Sequence, residues 1–290
     1  MSACWTTLVS APELAAALAE RAPPVVVVDA RFSLAAPAAG EAAYRASRIP
    51  DARYAHLDRD LSAPKHDARA GRHPWPDAAA FAAQLADWGI GAETQVVAYD
   101  DGDGAYAARL WFLLQAFGHA CAAVLDGGWV RWTALGLPVD DAPPPPAAAP
   151  QEAIGTARFE ASRLLDAAGV QAHLDAGGLL VDARAAERFR GEIEPIDRIA
   201  GHVPGAANRP YAANLENGGF KSAARLAEEF RALLGAHSAN DLVAMCGSGV
   251  TACHHLLAMA HAGLPGAKLY TASWSGWSAD PSRPVATGAE

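Results

Sequence analysis

The feature that most constrains this chain is that it is written twice. Val25-Val26-Val27-Val28-Asp29-Ala30-Arg31 recurs as Leu179-Leu180-Val181-Asp182-Ala183-Arg184, and Ser47-Arg48-Ile49-Pro50-Asp51-Ala52 recurs as Gly201-His202-Val203-Pro204-Gly205-Ala206. Val96-Val97-Ala98-Tyr99-Asp100 lies over Leu242-Val243-Ala244-Met245-Cys246, and Gly128-Trp129-Val130-Arg131-Trp132 over Ser273-Trp274-Ser275-Gly276-Trp277. The offsets run from 145 to 154, so order and spacing are kept and each half should build the same unit. A chain of 290 residues is long enough for two cores.

Between the halves, the run Asp140-Asp141-Ala142-Pro143-Pro144-Pro145-Pro146-Ala147-Ala148-Ala149-Pro150 cannot sustain a helix or ladder through its prolines and reads as a stiff connector. The expected division is a non-catalytic domain over 1–139, a Pro/Ala-rich linker over 140–157 and a catalytic domain over 158–290. Within each half, short β-branched runs (25–28, 96–98, 179–181 and 242–244) alternate with Ala/Leu-rich segments of helical period such as 12–21, 77–88 and 223–234. That alternation predicts an α/β fold in each half, a mainly parallel sheet with helices on both faces.

A net charge of −9 without any Lys/Arg run argues against nucleic acid or an anionic membrane as the main partner. No apolar stretch approaches the roughly 18–20 residues of a membrane span, and Met1-Ser2-Ala3-Cys4-Trp5 lacks a signal-like start, so the chain is expected to be cytoplasmic. Four cysteines (Cys4, Cys121, Cys246 and Cys253) in so long a chain are not expected to make a disulfide framework. No zinc-type ligand spacing occurs, and His254 and His255 read as helix-face residues rather than metal ligands.

Chemistry concentrates at Cys246-Gly247-Ser248-Gly249-Val250-Thr251-Ala252, between the apolar run 242–245 and a helical stretch over 251–262. A cysteine that ends a strand and turns through glycines into a helix presents its sulfur to converging backbone N–H groups. A free thiol, with a pKa near ~8.5, is only partly ionised at neutral pH, and such a bowl with the helix dipole favours the thiolate. Gly247 and Gly249 supply the conformational freedom a tight cradle needs. The matching residue in the first half is Asp100, in the acidic loop Asp100-Asp101-Gly102-Asp103-Gly104, so only the second half can carry a sulfur nucleophile.

The tandem repeat, the Cys246 loop and the Asp-Ala-Arg, Gly-His-Val-Pro-Gly-Ala and Ser-Trp-Ser-Gly-Trp segments resemble the two-domain rhodanese superfamily of sulfurtransferases. The loop is similar to that of the 3-mercaptopyruvate sulfurtransferases, whereas thiosulfate-using members carry Arg and Lys just after the cysteine. Charge points the same way: thiosulfate is a compact dianion that cationic side chains beside the thiolate would hold, and here those positions are the neutral Gly247 and Ser248. 3-Mercaptopyruvate carries its carboxylate far from its sulfur and releases an enolate that must be protonated, which calls for a remote arginine and a proton relay.

In Glu187-Arg188-Phe189-Arg190-Gly191 a planar guanidinium could take a carboxylate bidentately, and by resemblance Arg188 is the substrate clamp. The family's second clamp follows in a Glu-Pro loop that is shorter here, with Arg198 the nearest candidate. The resemblance also implies a relay of Ser248, His73 (in Gly71-Arg72-His73-Pro74-Trp75-Pro76) and Asp58. The expected reaction moves sulfane sulfur from 3-mercaptopyruvate through a Cys246 persulfide, held by the amides of Gly247, Ser248, Gly249, Val250 and Thr251, to a thiol, a thioredoxin-like protein or cyanide, with no metal or cofactor.

Three alternatives stand beside this reading: a thiosulfate sulfurtransferase, a noncatalytic rhodanese-like binding module, and a Cys-x5 phosphatase. The phosphatase loop ends in an arginine where this chain has Ala252. The four repeat tryptophans read as packing residues, and Asp29 and Asp182 as structural anchors for arginine or backbone partners.

Overall fold

A computed structural model describes residues 4–20, 24–142, 146, 150, 152–155 and 157–289. Of the proline-rich connector, residues 143–145, 147–149, 151 and 156 lie outside the described residues. The chain divides into two compact units: residues 1–62, 76–160 and 217–220 form the first, and residues 63–75, 161–216 and 221–290 the second.

The first unit holds a parallel sheet of β1 (Leu8–Val9), β2 (Val25–Asp29), β3 (Arg53–Tyr54), β4 (Gln95–Tyr99) and β5 (Ala122–Leu125), in the order β1-β5-β4-β2-β3. Its helices are α1 (Ala11–Glu20), α2 (Ala38–Ala46), α3 (Ala78–Asp87), α4 (Ala107–Ala116) and α5 (Gly128–Ala134). The second unit repeats the plan with β6 (Leu164–Leu165), β7 (Leu179–Asp182), β8 (Ala207–Asn208), β9 (Leu242–Met245) and β10 (Lys268–Tyr270), in the order β6-β10-β9-β7-β8. Its helices are α6 (Ala167–Asp175), α7 (Ala186–Phe189), α8 (Ala223–Leu234), α9 (Ala252–His261) and α10 (Ser273–Trp277).

Hydrophobic pattern and capping explain these elements. The central strands β4 and β9 are buried along their whole length, as strands covered on both faces must be. In α8, Leu226, Ala227, Phe230 and Leu234 form one buried stripe, and the Ser222 hydroxyl accepts from the Arg225 N–H at its start. In α3, Asp77 caps the N–H groups of Ala79 and Ala80 while Phe81 and Leu85 face inward.

The repeat extends to buried ion pairs and tryptophans. Arg31 makes a forked pair with Asp29, donates to the Ser47 carbonyl and lies over the Trp129 ring. Arg184 does the same with Asp182, the Gly201 carbonyl and Trp274. The tryptophans are packing residues: Trp132 and Trp277 donate their indole N–H to Pro138 and Pro284 carbonyls.

The loop after β4 shows how the first unit closes its own cradle. The Asp100 carboxylate accepts from the backbone N–H of Gly102, Gly104, Tyr106 and Ala107 at 2.9–3.1 Å, so a fixed internal anion fills the bowl. Burial, with Asp103 adding, pushes the Asp100 carboxyl up to about 6 against the loop N–H groups that favour its anion.

Cys4 and Cys121 are joined in a disulfide, because they precede β1 and β5, which pair in register, and their Cα atoms lie 5.5 Å apart. His254 and His255 lie on α9 but are fully buried, both Nδ1 atoms meeting the Asn214 side-chain amide. No cluster of metal-ligating side chains occurs among the described residues, and none of their helices is long and apolar enough to cross a membrane.

Two outcomes are expected. Asp100→Ala leaves four N–H groups, two of them buried and two half-buried, without their acceptor and should cost about 2 kcal/mol or more in urea unfolding, with Asp100→Asn also destabilising because its NH2 faces donors. His255 Nε2–H donates to the Arg209 carbonyl at 2.7 Å, and burial, with the Arg209 charge adding, lowers the ring to about 3. An unfolded histidine titrates near ~6.5, so the neutral ring's contribution is complete above that pH and is lost as pH falls toward about 3. The stability difference between wild type and His255→Gln should therefore narrow from about pH 6.5 to about pH 4, by up to ~1.4 kcal/mol per pH unit; a difference independent of pH would refute this.

Candidate active site

The described site residues belong to the second unit, except Asp58. Cys246 follows β9 directly and is 1% exposed, so its position is set by a strand paired along its length with β7, Met245 opposite Asp182. Its backbone is fixed from α10: the Ser273 hydroxyl accepts from the Cys246 N–H at 3.1 Å, and Trp274 and Ser275 N–H donate to the carbonyls of Cys246 and Gly247. Ser273 does this from φ +51, a left-handed conformation that non-glycine residues seldom adopt; its repeat counterpart, Gly128, has the same φ. The first unit needs glycine there because a Cβ would meet the Asp100 carbonyl at 2.6 Å.

Of the loop amides expected to cradle the sulfur, the Gly249 N–H donates to Cys246 Sγ at 3.2 Å. Gly249 takes φ +78, whereas Gly247 lies outside the left-handed region. Gly247 serves space instead: a Cβ there would lie 3.1 Å from Arg72 Nη2 and 3.8 Å from both terminal nitrogens of Arg188. Val250 is buried, Thr251 leads into α9, and the buried Cys253 thiol donates to the Gly249 carbonyl at 3.3 Å.

The segment 63–75 brings two further groups. Gly71 at φ +86 lets its backbone approach Ala272 more closely than a Cβ would allow, and Gly276 does the same from the other side against the Arg69 carbonyl. The Arg72 N–H then donates to the Ser275 hydroxyl at 2.9 Å. Next in sequence, His73 Nδ1 lies 2.7 Å from Ser248 Oγ, with both side chains buried. Ser248 and His73 are thus paired beside Cys246. Asp58 belongs to the first unit, where its N–H donates to His56 Nδ1.

A row of alternating charges borders the loop. Glu194 accepts at 2.7–3.2 Å from Nη2 and Nε of Arg188 and at 3.4 Å from Arg184. Asp197 accepts from Arg188 Nη2 at 3.2 Å and from Arg72 Nη1 at 2.5 Å, so it bridges two guanidiniums. Burial pushes both carboxyls up; in Glu194 the Arg188 bonds and the N–H groups of Asp197 and Ile196 outweigh it, whereas in Asp197 burial prevails over Arg72. Arg198 is exposed on the rim of a cavity of about 760 Å³ that Lys65, His66, Arg72 and Asp197 also line. Arg190 pairs with Glu192 at the surface.

The sequence reading missed Arg72, Asp197, Glu194 and Ser273. It also took the surroundings of the loop as neutral because Gly247 and Ser248 are uncharged, whereas two arginines from elsewhere in the chain approach the same spot. Arg72 was findable as the neighbour of His73; the acidic partners carried no signal apart from their spacing to Arg188.

Comparison with known proteins follows this geometry. The family model described as "Rhodanese-like domain" matches residues 10–135 and 166–280. A Pseudomonas aeruginosa protein named "Probable 3-mercaptopyruvate sulfurtransferase" is 48% identical over 97% of this chain and 98% of its own length. The bovine (Bos taurus) "Thiosulfate sulfurtransferase" is 35% identical over 70% of this chain and 69% of its own length. The solved structure of 3-mercaptopyruvate sulfurtransferase from Leishmania major superposes with a TM-score of 0.78 at 31% identity, covering 93% of this chain and 73% of that one. With a repeated parallel sheet, a cysteine at the end of the central strand of the second and family matches in both halves, the chain belongs to the rhodanese family and carries two rhodanese-like domains in tandem.

Proposed function

We propose that this chain is a 3-mercaptopyruvate sulfurtransferase that works by double displacement through Cys246. The observation that carries the reading is the Ser248–His73 pair placed next to the cysteine, since a proton relay beside the nucleophile is what a thiol donor with an enolate leaving group requires. Full-length likeness to the Pseudomonas aeruginosa protein supports the same donor.

In the first half-reaction the Cys246 thiolate attacks the substrate sulfur and its C–S bond breaks, the bonding pair leaving on the enolate of pyruvate. The substrate thiol proton passes through Ser248 and His73 to the enolate carbon, which completes pyruvate and leaves Cys246 as a persulfide. The Gly249 N–H, already on Sγ, and the neighbouring loop amides from Gly247 to Thr251 steady that anion. In the second half-reaction a small thiol, a thioredoxin-like protein or cyanide attacks the outer sulfur and Cys246 departs as thiolate. Arg188 serves the donor carboxylate, and Arg198, on the rim of the neighbouring cavity, is the outer candidate for the same task. Asp58 is assigned to the relay on family resemblance. The proposed division into domains over 1–139 and 158–290 follows the repeat, with segment 63–75 serving the second unit. We place the protein in the cytoplasm; the Cys4–Cys121 disulfide, a bond favoured by oxidising compartments, counts against that placement.

One observation favours thiosulfate as donor: the guanidiniums of Arg72 and Arg188 beside Gly247 offer a dianion the positive charge that the loop itself lacks.

The test is kcat/KM for 3-mercaptopyruvate and for thiosulfate with one acceptor and Cys246→Ser as control. A preference for mercaptopyruvate that vanishes in the control is expected; a preference for thiosulfate reverses the donor assignment. Asp58→Asn should slow pyruvate release by about tenfold or more while leaving discharge of a preformed persulfide unchanged, and an unaltered release rate removes Asp58 from the relay.

A further inference from the structure

The stretch from Ile193 to Ile199 is built inside out. The side chains of Glu194 and Asp197 are 4% and 7% exposed and are held inward by Arg184, Arg188 and Arg72. The backbone closes on the same group, since the N–H groups of Ile196 and Asp197 both donate to Glu194 Oε1 at 3.0 Å. With the acids fixed inside, Ile193, Ile196 and Ile199 are left outside, 38–51% exposed. Arg198 is exposed with them and has no carboxylate partner among the described residues. Burying two carboxylates while three isoleucines of one short loop face water reverses the usual partition, and a contact that covers the isoleucines accounts for it.

This surface adjoins the cysteine loop. Ile196 and Ile199 line the cavity of about 760 Å³ together with Lys65, Arg198 and Ser275, and the Ser275 N–H donates to the Gly247 carbonyl at 2.9 Å. Trp274 ties the far end of the stretch to the same place: its indole N–H donates to the Ile199 carbonyl and its backbone N–H to the Cys246 carbonyl. The first unit supplies the contrast. There the equivalent stretch between Arg31 and Arg48 winds into α2, which buries Tyr44 and exposes no large apolar side chain, Leu34 ahead of it being the single exposed one. The isoleucine surface accompanies the half that carries the cysteine.

We infer that Ile193, Ile196, Ile199 and Arg198 form the docking surface for the sulfur acceptor, a small acidic protein thiol of the thioredoxin kind. The isoleucines match an apolar collar around the partner's cysteine. Arg198, with Lys65 at the same cavity, matches carboxylates at the collar's edge and marks a cationic landing place on a chain whose net charge of −9 repels acidic proteins elsewhere. The inference rests on the Cys246 persulfide of the proposed function, adds where the acceptor lands and gives Arg198 a task on the acceptor side. In the docked pair the partner's thiol sulfur bonds to the outer sulfur, and the S–S bond to Cys246 breaks with its electron pair on Sγ. The thiol proton goes to the transferred sulfur, so the partner leaves as a persulfide and Cys246 returns as thiolate.

The test follows discharge of a Cys246 persulfide preformed with sodium polysulfide, which makes the result independent of the donor. Reduced thioredoxin and cyanide serve as the two acceptors. Ile196→Ser combined with Ile199→Ser should lower the second-order rate with thioredoxin by about tenfold or more, the worth of two apolar anchors, and change the rate with cyanide by less than about twofold. The cyanide rate reports that the cysteine loop is intact, and both positions are exposed, so the variant should fold. Arg198→Glu should slow the thioredoxin reaction by about tenfold at low salt and flatten its dependence on ionic strength. Equal losses with both acceptors, or no loss with thioredoxin, overturn the inference. So does a wild-type persulfide that thioredoxin discharges no faster than dithiothreitol at the same thiol concentration. A protein that fails to turn over 3-mercaptopyruvate yet shows the selective loss with thioredoxin sinks the donor and keeps the docking surface. Turnover of mercaptopyruvate without the selective loss does the opposite.

Discussion

The second unit is organised around the buried pair of Asp182 and Arg184. The carboxylate ends β7 and the guanidinium folds back onto it through Nε and Nη2, lies over Trp274 and holds the Gly201 carbonyl. Breaking such a pair by removing one partner leaves an uncompensated charge in the interior, at a cost of about 3–5 kcal/mol. Its reach goes beyond stability, because the remaining terminal nitrogen of Arg184 contacts Glu194, and from there the charges alternate through Arg188 and Asp197 to Arg72. The cations beside Gly247 are the outer end of a row whose inner end is a framework element. Trp274, which covers Arg184, also donates its backbone N–H to the Cys246 carbonyl, so both the charge and the cysteine are referred to the same place.

The first unit shows the same framework without the chemistry. Asp29, Arg31 and Trp129 repeat the pair and its cover, and the Trp129 N–H reaches the Asp100 carbonyl as the Trp274 N–H reaches that of Cys246. What differs is the occupant of the bowl. Asp100 satisfies the loop donors with its own carboxylate, whereas Cys246 sends a single sulfur into an equivalent turn, where it accepts from the Gly249 N–H. A one-residue difference at an equivalent position thus separates a bowl filled by its own carboxylate from one that holds a thiol.

Much of this was legible in the sequence because it is written as periodicity and repetition. The central strands, the helix borders of α3 and α8 and the placement of Cys246 before α9 follow from hydrophobic pattern and turn residues acting within a few positions. His73 was reachable only through resemblance, since its partner Ser248 is 175 residues away. The pairing of Arg72 with Asp197 was not legible: which way an arginine turns depends on which carboxylate holds it, and these two are 125 residues apart. The Cys4–Cys121 bond escaped for the same reason, because only the pairing of β1 with β5 brings those residues together. Local patterns encode elements, while long-range pairings of polar groups become visible only once the elements are packed.

That disulfide sets the two halves apart in another respect. It spans 117 residues, and closing a ring of that size restricts the unfolded chain by about 4–5 kcal/mol on a chain-entropy account. Cys246 and Cys253, in the second unit, form no such bond, and cohesion there rests on packing and on the row of charges. The two units therefore answer to different reagents, the first to a reductant that opens its ring and the second to dissolved ions that compete along its charged border.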